Sequence, residues 1–292
     1  MADIASRIEW QSPSQQGGAF FDYESIDDVD FAVPGLSQHT ALFGRGRMHA
    51  LFHNKESEVL VVSLHGALDR SKYAVPRFER FRTLSDTPYS TLYLSDPALA
   101  LSPLLRLAWY VGYDEQDTVR ACVSWIQRAA LACRGQRILV TGSSGGGFGA
   151  LQITSLIRDS LALVFQPQTV ISRYYSGYVD EFARQCFPKL GASWENALGA
   201  RVSALGLGNV PRPQQIRYVQ NRNDLSHYRR HFEPFLQAQG VEMLPGSSTL
   251  KAGNLSVSLY DGPNGHKVPS KELFTQELGL AVAWLSKQEA ST

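Results

Sequence analysis

Residues 140–149 read Val-Thr-Gly-Ser-Ser-Gly-Gly-Gly-Phe-Gly, and no other stretch restricts the fold so tightly. The run Arg137-Ile138-Leu139-Val140 before it is β-branched and apolar, as a buried strand is. Phe148, Leu151 and the pair Leu156/Ile157 after it suit a helix running to about Arg158. Gly142-Ser143-Ser144-Gly145-Gly146 is therefore a G-x-S-x-G match at a strand–turn–helix junction, where the pattern carries chemical meaning. The turn is so sharp that only glycines leave room around the central serine, whose hydroxyl is pushed outward. The amide of Gly145 points to the same place from a helix N-terminus. Ser144 is the expected nucleophile.

A glycine-rich turn between strand and helix also suits a phosphate, and Gly145-x-Gly147-x-x-Ala150 is a loose dinucleotide fingerprint. That reading needs an acidic residue where the next strand ends. Leu161–Phe165 ends instead in Gln166-Pro167, and no Walker lysine follows the glycines. A turn without chemistry is the remaining alternative, and the rest of the chain decides against it.

The chain has 292 residues, enough for one sizeable α/β domain, and 43% of them are hydrophobic. With 28 basic and 27 acidic residues, it carries no footprint for nucleic acid or an anionic membrane. No apolar run approaches membrane-spanning length, and residues 1–7 lack a signal peptide's apolar centre. Cys122, Cys133 and Cys186 form neither a disulfide framework nor a metal knuckle. A cytoplasmic protein is the expectation.

Residues 1–17 are polar and read as a flexible arm. Ala19–Tyr23, Ala41–Phe43 and His49–Phe52 read as antiparallel strands opening a sheet. Glu58–Leu64 is the first strongly buried strand and runs into His65-Gly66-Ala67. Tyr89–Leu94 is a strand closed by Ser95-Asp96-Pro97. Asp117–Cys133 is an amphipathic helix with Gly135 as its stop. After Leu161–Phe165, residues 167–213 fit no simple strand–helix unit. They hold Tyr174, Tyr175, Tyr178, Phe182 and Trp194, and they read as a cap or lid. Ile216–Gln220 is a strand, Ser226–Gln239 a helix, Leu255–Leu259 an alternating edge strand, and about Ser270–Lys287 the last helix. Strands alternating with helices give a mostly parallel central sheet flanked by helices. The core is then 18–166 with 214–292.

A serine hydroxyl needs a base within hydrogen-bond reach, and the base needs an acid to set its tautomer. Among seven histidines, His266 is the expected base: it lies in a glycine-rich loop after a late strand and before the last helix. Asp224, after the Ile216–Gln220 strand, is the expected acid, although it would also cap the following helix. Asp261 is the rival acid. The oxyanion hole needs backbone donors, here Gly145 and Ala67. His65, Tyr174 and Tyr175 are candidates for touching substrate, His65 with the alternative of a structural role. Asp69-Arg70 and Lys72-Tyr73 lie near the expected mouth, with solvated loop charges as the simpler reading. His227 and His231 stand four apart near Asp224, but no H-E-x-x-H pattern supports a metal there. No metal and no cofactor is expected.

These residues resemble the α/β-hydrolase superfamily over about residues 40–288. The order Ser144, Asp224, His266 is that family's chain order. His65-Gly66 stands where its oxyanion strand ends, and 167–213 falls in the usual place for a cap. The family includes carboxylesterases, lipases, peptidases, thioesterases and some acyltransferases. The resemblance implies an acyl-Ser144 intermediate formed with His266 as base and resolved by water. More loosely, the chain is similar to bacterial hydrolase-like proteins of cell-surface glycan pathways, some of which transfer acetyl groups to sugars. A serine hydrolase acting on a small-molecule or glycan carboxylic ester is the leading expectation. An O-acyltransferase is the first alternative, and a non-catalytic binding protein on a hydrolase fold the second.

Overall fold

The computed structural model describes residues 18–209 and 214–286. The expected arm at 1–17 lies outside the described residues, as do 210–213 of the expected cap and the last residues after 286.

Among the described residues twelve strands form, in chain order: β1 (Ala19–Tyr23), β2 (Gly35–Phe43), β3 (Gly46–Asn54), β4 (Val59–Leu64), β5 (Ser90–Ser95), β6 (Gly112–Tyr113), β7 (Gln116–Asp117), β8 (Arg137–Ser143), β9 (Ser160–Phe165), β10 (Gln215–Asn221), β11 (Thr249–Ala252) and β12 (Leu255–Tyr260). Ten of them make one sheet in the order β1-β2-β3-β5-β4-β8-β9-β10-β12-β11, while β6 and β7 pair separately. From β5 through β4, β8, β9 and β10 to β12 every pairing is parallel. This is the mostly parallel sheet that alternating strands and helices require.

Parallel strands bury both faces, and their side chains alternate between two cores. Leu60, Val62 and Leu64 of β4 and Ala162 and Val164 of β9 join one apolar cluster. Val59 and Val61, with Leu161, Leu163 and Phe165, join the other. The helices Thr118–Cys133 and Gly145–Thr154 cover the first face through residues such as Trp125, Ile126, Phe148 and Leu151. The last helix, Lys271–Leu285, covers the second with Phe274, Leu278, Ala281 and Leu285.

Asp117 caps the first of these helices, its side chain accepting from the Arg120 amide. At the other end Arg134 takes φ 59°, and the Gly135 amide returns to Ala130 O at 2.7 Å. The stop thus comes at Arg134, one residue before the expected glycine.

Three expectations are corrected. β1 pairs with β2 in parallel, because the link from 24 to 34 carries the chain back to the start of β2; only β2–β3 and β3–β5 are antiparallel at that end. Leu255–Tyr260 is not the edge, since Thr249–Ala252 folds onto it as an antiparallel hairpin around Gly253 at φ 55°. The helix after the glycines ends at Thr154 rather than near Arg158. Among the described residues no helix is long and apolar enough to cross a membrane.

Candidate active site

The site lies at the C-terminal edge of the parallel strands, where β8, β9 and β10 deliver their loops. Ser144 follows β8 with φ 56° and ψ −120°, a backbone conformation costing a non-glycine residue roughly 1–3 kcal/mol. Close packing of the flanking backbone holds it there. A Cβ on Gly142 would lie 2.3 Å from the Gly146 carbonyl carbon, and one on Gly146 would lie 2.7 Å from the carbonyl oxygens of both Leu64 and His65. The two glycines of the motif therefore let β8, the helix start and the end of β4 meet.

That packing brings the His65-Gly66-Ala67 loop to the serine: a Cβ on Gly66 would sit 3.5 Å from Ser144 Cβ. Among the described residues no protein acceptor takes the amide of Gly145 or of Ala67. Both expected oxyanion donors are thus uncommitted. His65 is 1% exposed and cannot face a ligand. Its Nε2 accepts from the Asp96 amide at 3.0 Å, and its Nδ1 donates to Gly66 O at 2.8 Å. Burial pushes its pKa down to about 4, so it is neutral. The substrate-contact expectation for His65 is corrected: it braces the loop.

The brace extends further. The Tyr110 hydroxyl donates to Leu94 O and accepts from the His65 amide, both at 2.9 Å. Asp96 Oδ2 accepts from the Tyr110 amide at 2.7 Å and Oδ1 from Ala98 at 3.1 Å. Desolvation raises the Asp96 carboxyl to about 6 despite these donors. The Ser95-Asp96-Pro97 stretch thus ties the end of β5 to the loop beside the serine. Arg70 donates to the carbonyls of Leu99 and Leu105, and Lys72 pairs with Asp69, so these charges serve the loop itself.

Asp224 is 1% exposed, at the exit of β10. Its Oδ1 caps the next helical segment by accepting from the His227 amide at 3.3 Å. Its Oδ2 accepts from His266 Nδ1 at 2.8 Å. Burial alone would raise this carboxyl, but the two histidines hold it well below the usual range. Asp261 instead pairs with Arg222 on the surface, its side chain 70% exposed. The structure brings Asp224, not Asp261, to His266.

Two residues that the sequence did not single out for this role complete the cluster. Gln168 Nε2 donates to Ser144 Oγ at 2.6 Å and to His227 Nε2 at 2.9 Å, and Gln168 Oε1 accepts from Trp109 Nε1 at 3.1 Å. The His227 ring stacks on His266, centroids 4.0 Å apart and planes 15° from parallel. Ser144 is thereby linked through Gln168 and His227 to the face of His266. In the sequence His227 stands out only through its spacing from His231, as a possible metal ligand.

The helix expected at Ser226–Gln239 is broken into Leu225–His227, a π-helical turn Tyr228–Phe232 and Glu233–Ala238. The wider turn sets His231 beside His227, ring centroids 5.3 Å apart. The ligand atoms of Asp224, His227 and His266 lie within 4.8 Å of one another, as a metal site would need. The nitrogens facing the carboxylate both carry protons, however. His266 Nδ1 donates to it, and His227 accepts at Nε2, which leaves its proton on Nδ1. His231 Nδ1 accepts from the Thr169 amide at 3.2 Å. With protons in those positions, the donor set fits the Asp224–His266 hydrogen bond better than a cation.

Residues 167–209 form several short helices, and some of their aromatic side chains reach the site. Tyr174 meets Trp109 edge-on at 6.0 Å and lies 5.9 Å from the His227 ring. Tyr175, 48% exposed, stands 4.8 Å from Tyr174 with Arg230 near its face. Phe182 is fully buried against Trp109 and Trp194, so part of the aromatic content is core.

No protein-family model matches the chain, and no curated protein matches it by sequence. Solved structures match its fold. The glycosylation-associated protein (Gap123) complex of Streptococcus agalactiae is 16% identical with TM-score 0.62 over 86% of this chain and 47% of that one. The chain thus spans about half the length of that match. A capsule O-acetyltransferase of Neisseria meningitidis serogroup A is 13% identical with TM-score 0.55, covering 82% and 92%. The Pyrococcus furiosus esterase Pf2001 is 15% identical with TM-score 0.53, covering 88% and 93%. At these identities the likeness is one of fold.

Proposed function

With an α/β-hydrolase fold as its frame, we propose that the protein is a serine hydrolase cleaving a carboxylic ester through an acyl-serine intermediate. The observation that carries this reading is the Asp224–His266 hydrogen bond of 2.8 Å, set beside a serine strained at φ 56° on a strand–helix turn. His266 holds its proton at Nδ1 against Asp224, so Nε2 is the free base. It takes the Ser144 proton as Oγ adds to the ester carbonyl. The Gly145 and Ala67 amides receive the oxyanion. The protonated His266 gives its proton to the departing alcohol, and water then resolves the acyl-enzyme by the same steps in reverse roles. In this structure Ser144 Oγ bonds to Gln168, and the mechanism requires His266 Nε2 to come within reach of Oγ when substrate binds.

Residues 167–213 act as the cap, with Tyr174 and Tyr175 as its substrate-facing groups. Tyr174, Tyr175 and Tyr178 group flat faces with polar edges beside the site, which suits a sugar ester or a sugar acceptor. That cluster favours one second reading, transfer of the acyl group to an alcohol. The chemistry requires no cofactor. The three free, buried thiols fit a reducing compartment such as the cytoplasm.

The test is reaction with a fluorophosphonate, mapped by mass spectrometry, followed by p-nitrophenyl acetate turnover with and without alcohol acceptors. Labelling at Ser144, and loss of both labelling and turnover in Ser144→Ala, is expected. Turnover retained in Ser144→Ala would remove the serine from the mechanism. A product acylated on the acceptor would select transfer over hydrolysis.

A further inference from the structure

Gln168 is fully buried, and both ends of its side-chain amide are hydrogen-bonded. The Trp109 indole nitrogen can only donate, so the atom 3.1 Å from it must be the amide oxygen. The NH2 group is then turned toward the serine. Its two hydrogens go one each to Ser144 Oγ at 2.6 Å and His227 Nε2 at 2.9 Å. Ser144 Oγ is the acceptor in that contact, which leaves its own hydrogen to be given to a base. Trp109 holds φ 53°, a conformation rare for a bulky residue, and this places its indole here.

We propose that Gln168 is a catalytic residue whose Nε2–H stays on Ser144 Oγ and stabilises the charge that oxygen takes up when the acyl–serine bond breaks, with Trp109 and His227 as positioning residues for the amide. The proposal rests on Ser144 being the nucleophile. In deacylation water adds to the acyl carbon and passes a proton to His266. The tetrahedral intermediate then collapses: the bond from carbon to Oγ breaks, its electron pair returns to Oγ, and His266 delivers the proton to it. The ester oxygen of the acyl-serine is a weak acceptor, whereas the departing oxygen is a strong one. The Gln168 donor is therefore gained in the transition state. In acylation the free hydroxyl already enjoys that hydrogen bond, so less is gained. Removing the amide should slow deacylation more than acylation, and acyl-Ser144 should accumulate.

The experiment is rapid mixing with p-nitrophenyl acetate, with intact-mass readout of acetyl-enzyme, on the full chain and on Gln168→Leu and Gln168→Glu. In Gln168→Leu, deacylation should fall about 100-fold with a much smaller change in the burst, the lower end of what loss of one donor to a developing oxyanion costs. Acetyl on Ser144 should become visible by mass. Gln168→Glu is nearly isosteric and keeps the proposal testable if the leucine variant fails to fold. It should show the same accumulation, and the nitrogen NMR signal of His227 should titrate at higher pH than in the wild type, because a carboxylate now faces Nε2. Trp109→Phe should reproduce part of the kcat loss with KM little changed. Equal falls in burst and steady state, or unchanged rates, in an enzyme whose wild-type Ser144 takes the fluorophosphonate would overturn the role of Gln168 alone. A wild-type Ser144 that takes no label would bring down the underlying reading, and this proposal with it.

Discussion

His227 and His266 lie face to face, ring centroids 4.0 Å apart, each with Nδ1 within 3.0 Å of the same Asp224 oxygen. The two approaches are unequal. His266 makes a hydrogen bond at 2.8 Å, while His227 Nδ1 meets the oxygen too far out of line to count as bonded. The far nitrogens differ as well: that of His227 is taken by Gln168, and that of His266 faces no protein donor among the described residues. One carboxylate thus orients the His266 imidazole and leaves the neighbouring ring as its packing surface. Burial is the main reason the His227 pKa is lowered, and the adjacent His266 lowers it further, so the stacked pair does not hold two charges.

Replacing each ring separately should expose this division. His266→Ala is expected to cost about 10³-fold or more in kcat, the scale on which a triad base acts. His227→Ala should cost clearly less and should act through Gln168. Steady-state kinetics on p-nitrophenyl acetate checks the order; a larger loss at His227 would make it the base.

Asp224→Asn should lower kcat by about 10³- to 10⁴-fold, because an amide no longer holds the His266 tautomer. Asp261→Asn, on a side chain 70% exposed and paired only with Arg222, should leave kcat within about twofold. Similar losses in the two variants would reopen the choice of acid.

Gly146→Ala puts a methyl 2.7 Å from two backbone oxygens at the end of β4. Overpacking against backbone should cost about 1–3 kcal/mol and pull the Gly66-Ala67 loop off the serine. Urea denaturation and kinetics would show both effects. Wild-type stability with full activity would mean that the turn is less crowded than described.

Burial lowers His39, His49 and His65 to about 4 and His231 to about 3. Unfolded histidines titrate near 6.5, so between that pH and about 4 the unfolded chain binds protons that the native one refuses. The stability these groups contribute is whole above about pH 6.5 and is lost as pH falls through the folded values. Asp96, raised by burial to about 6, runs the other way, since its native carboxyl binds a proton first. Four groups outweigh one. The urea midpoint should therefore drop between pH 7 and pH 5, by roughly a few kcal/mol in stability; a flat profile would show that these histidines are hydrated in solution.

Legibility followed the range of the interactions. The sheet was readable because each buried strand is a short apolar run, and the turn at Ser144 because local backbone crowding demands glycine there. The edges were misjudged because the partner of Ala19–Tyr23, and that of Leu255–Tyr260, is chosen by the path of a connecting segment. His65 drew attention through its position after a strand. Its burial depends on Asp96 and Tyr110, far along the chain, and nothing local announces it.

The sequence by itself determined a buried strand turning sharply at Ser144 into a helix, and a late loop carrying His266, since both follow from local sterics and apolar patterning. Tertiary structure alone decided that Asp224 rather than Asp261 meets His266, that the His227 ring stacks on His266, and that Trp109 turns the amide of Gln168 onto the serine. Those choices depend on the directions of single hydrogen bonds between residues up to 59 positions apart. Such directions exist only once the sheet has brought its loops to one edge.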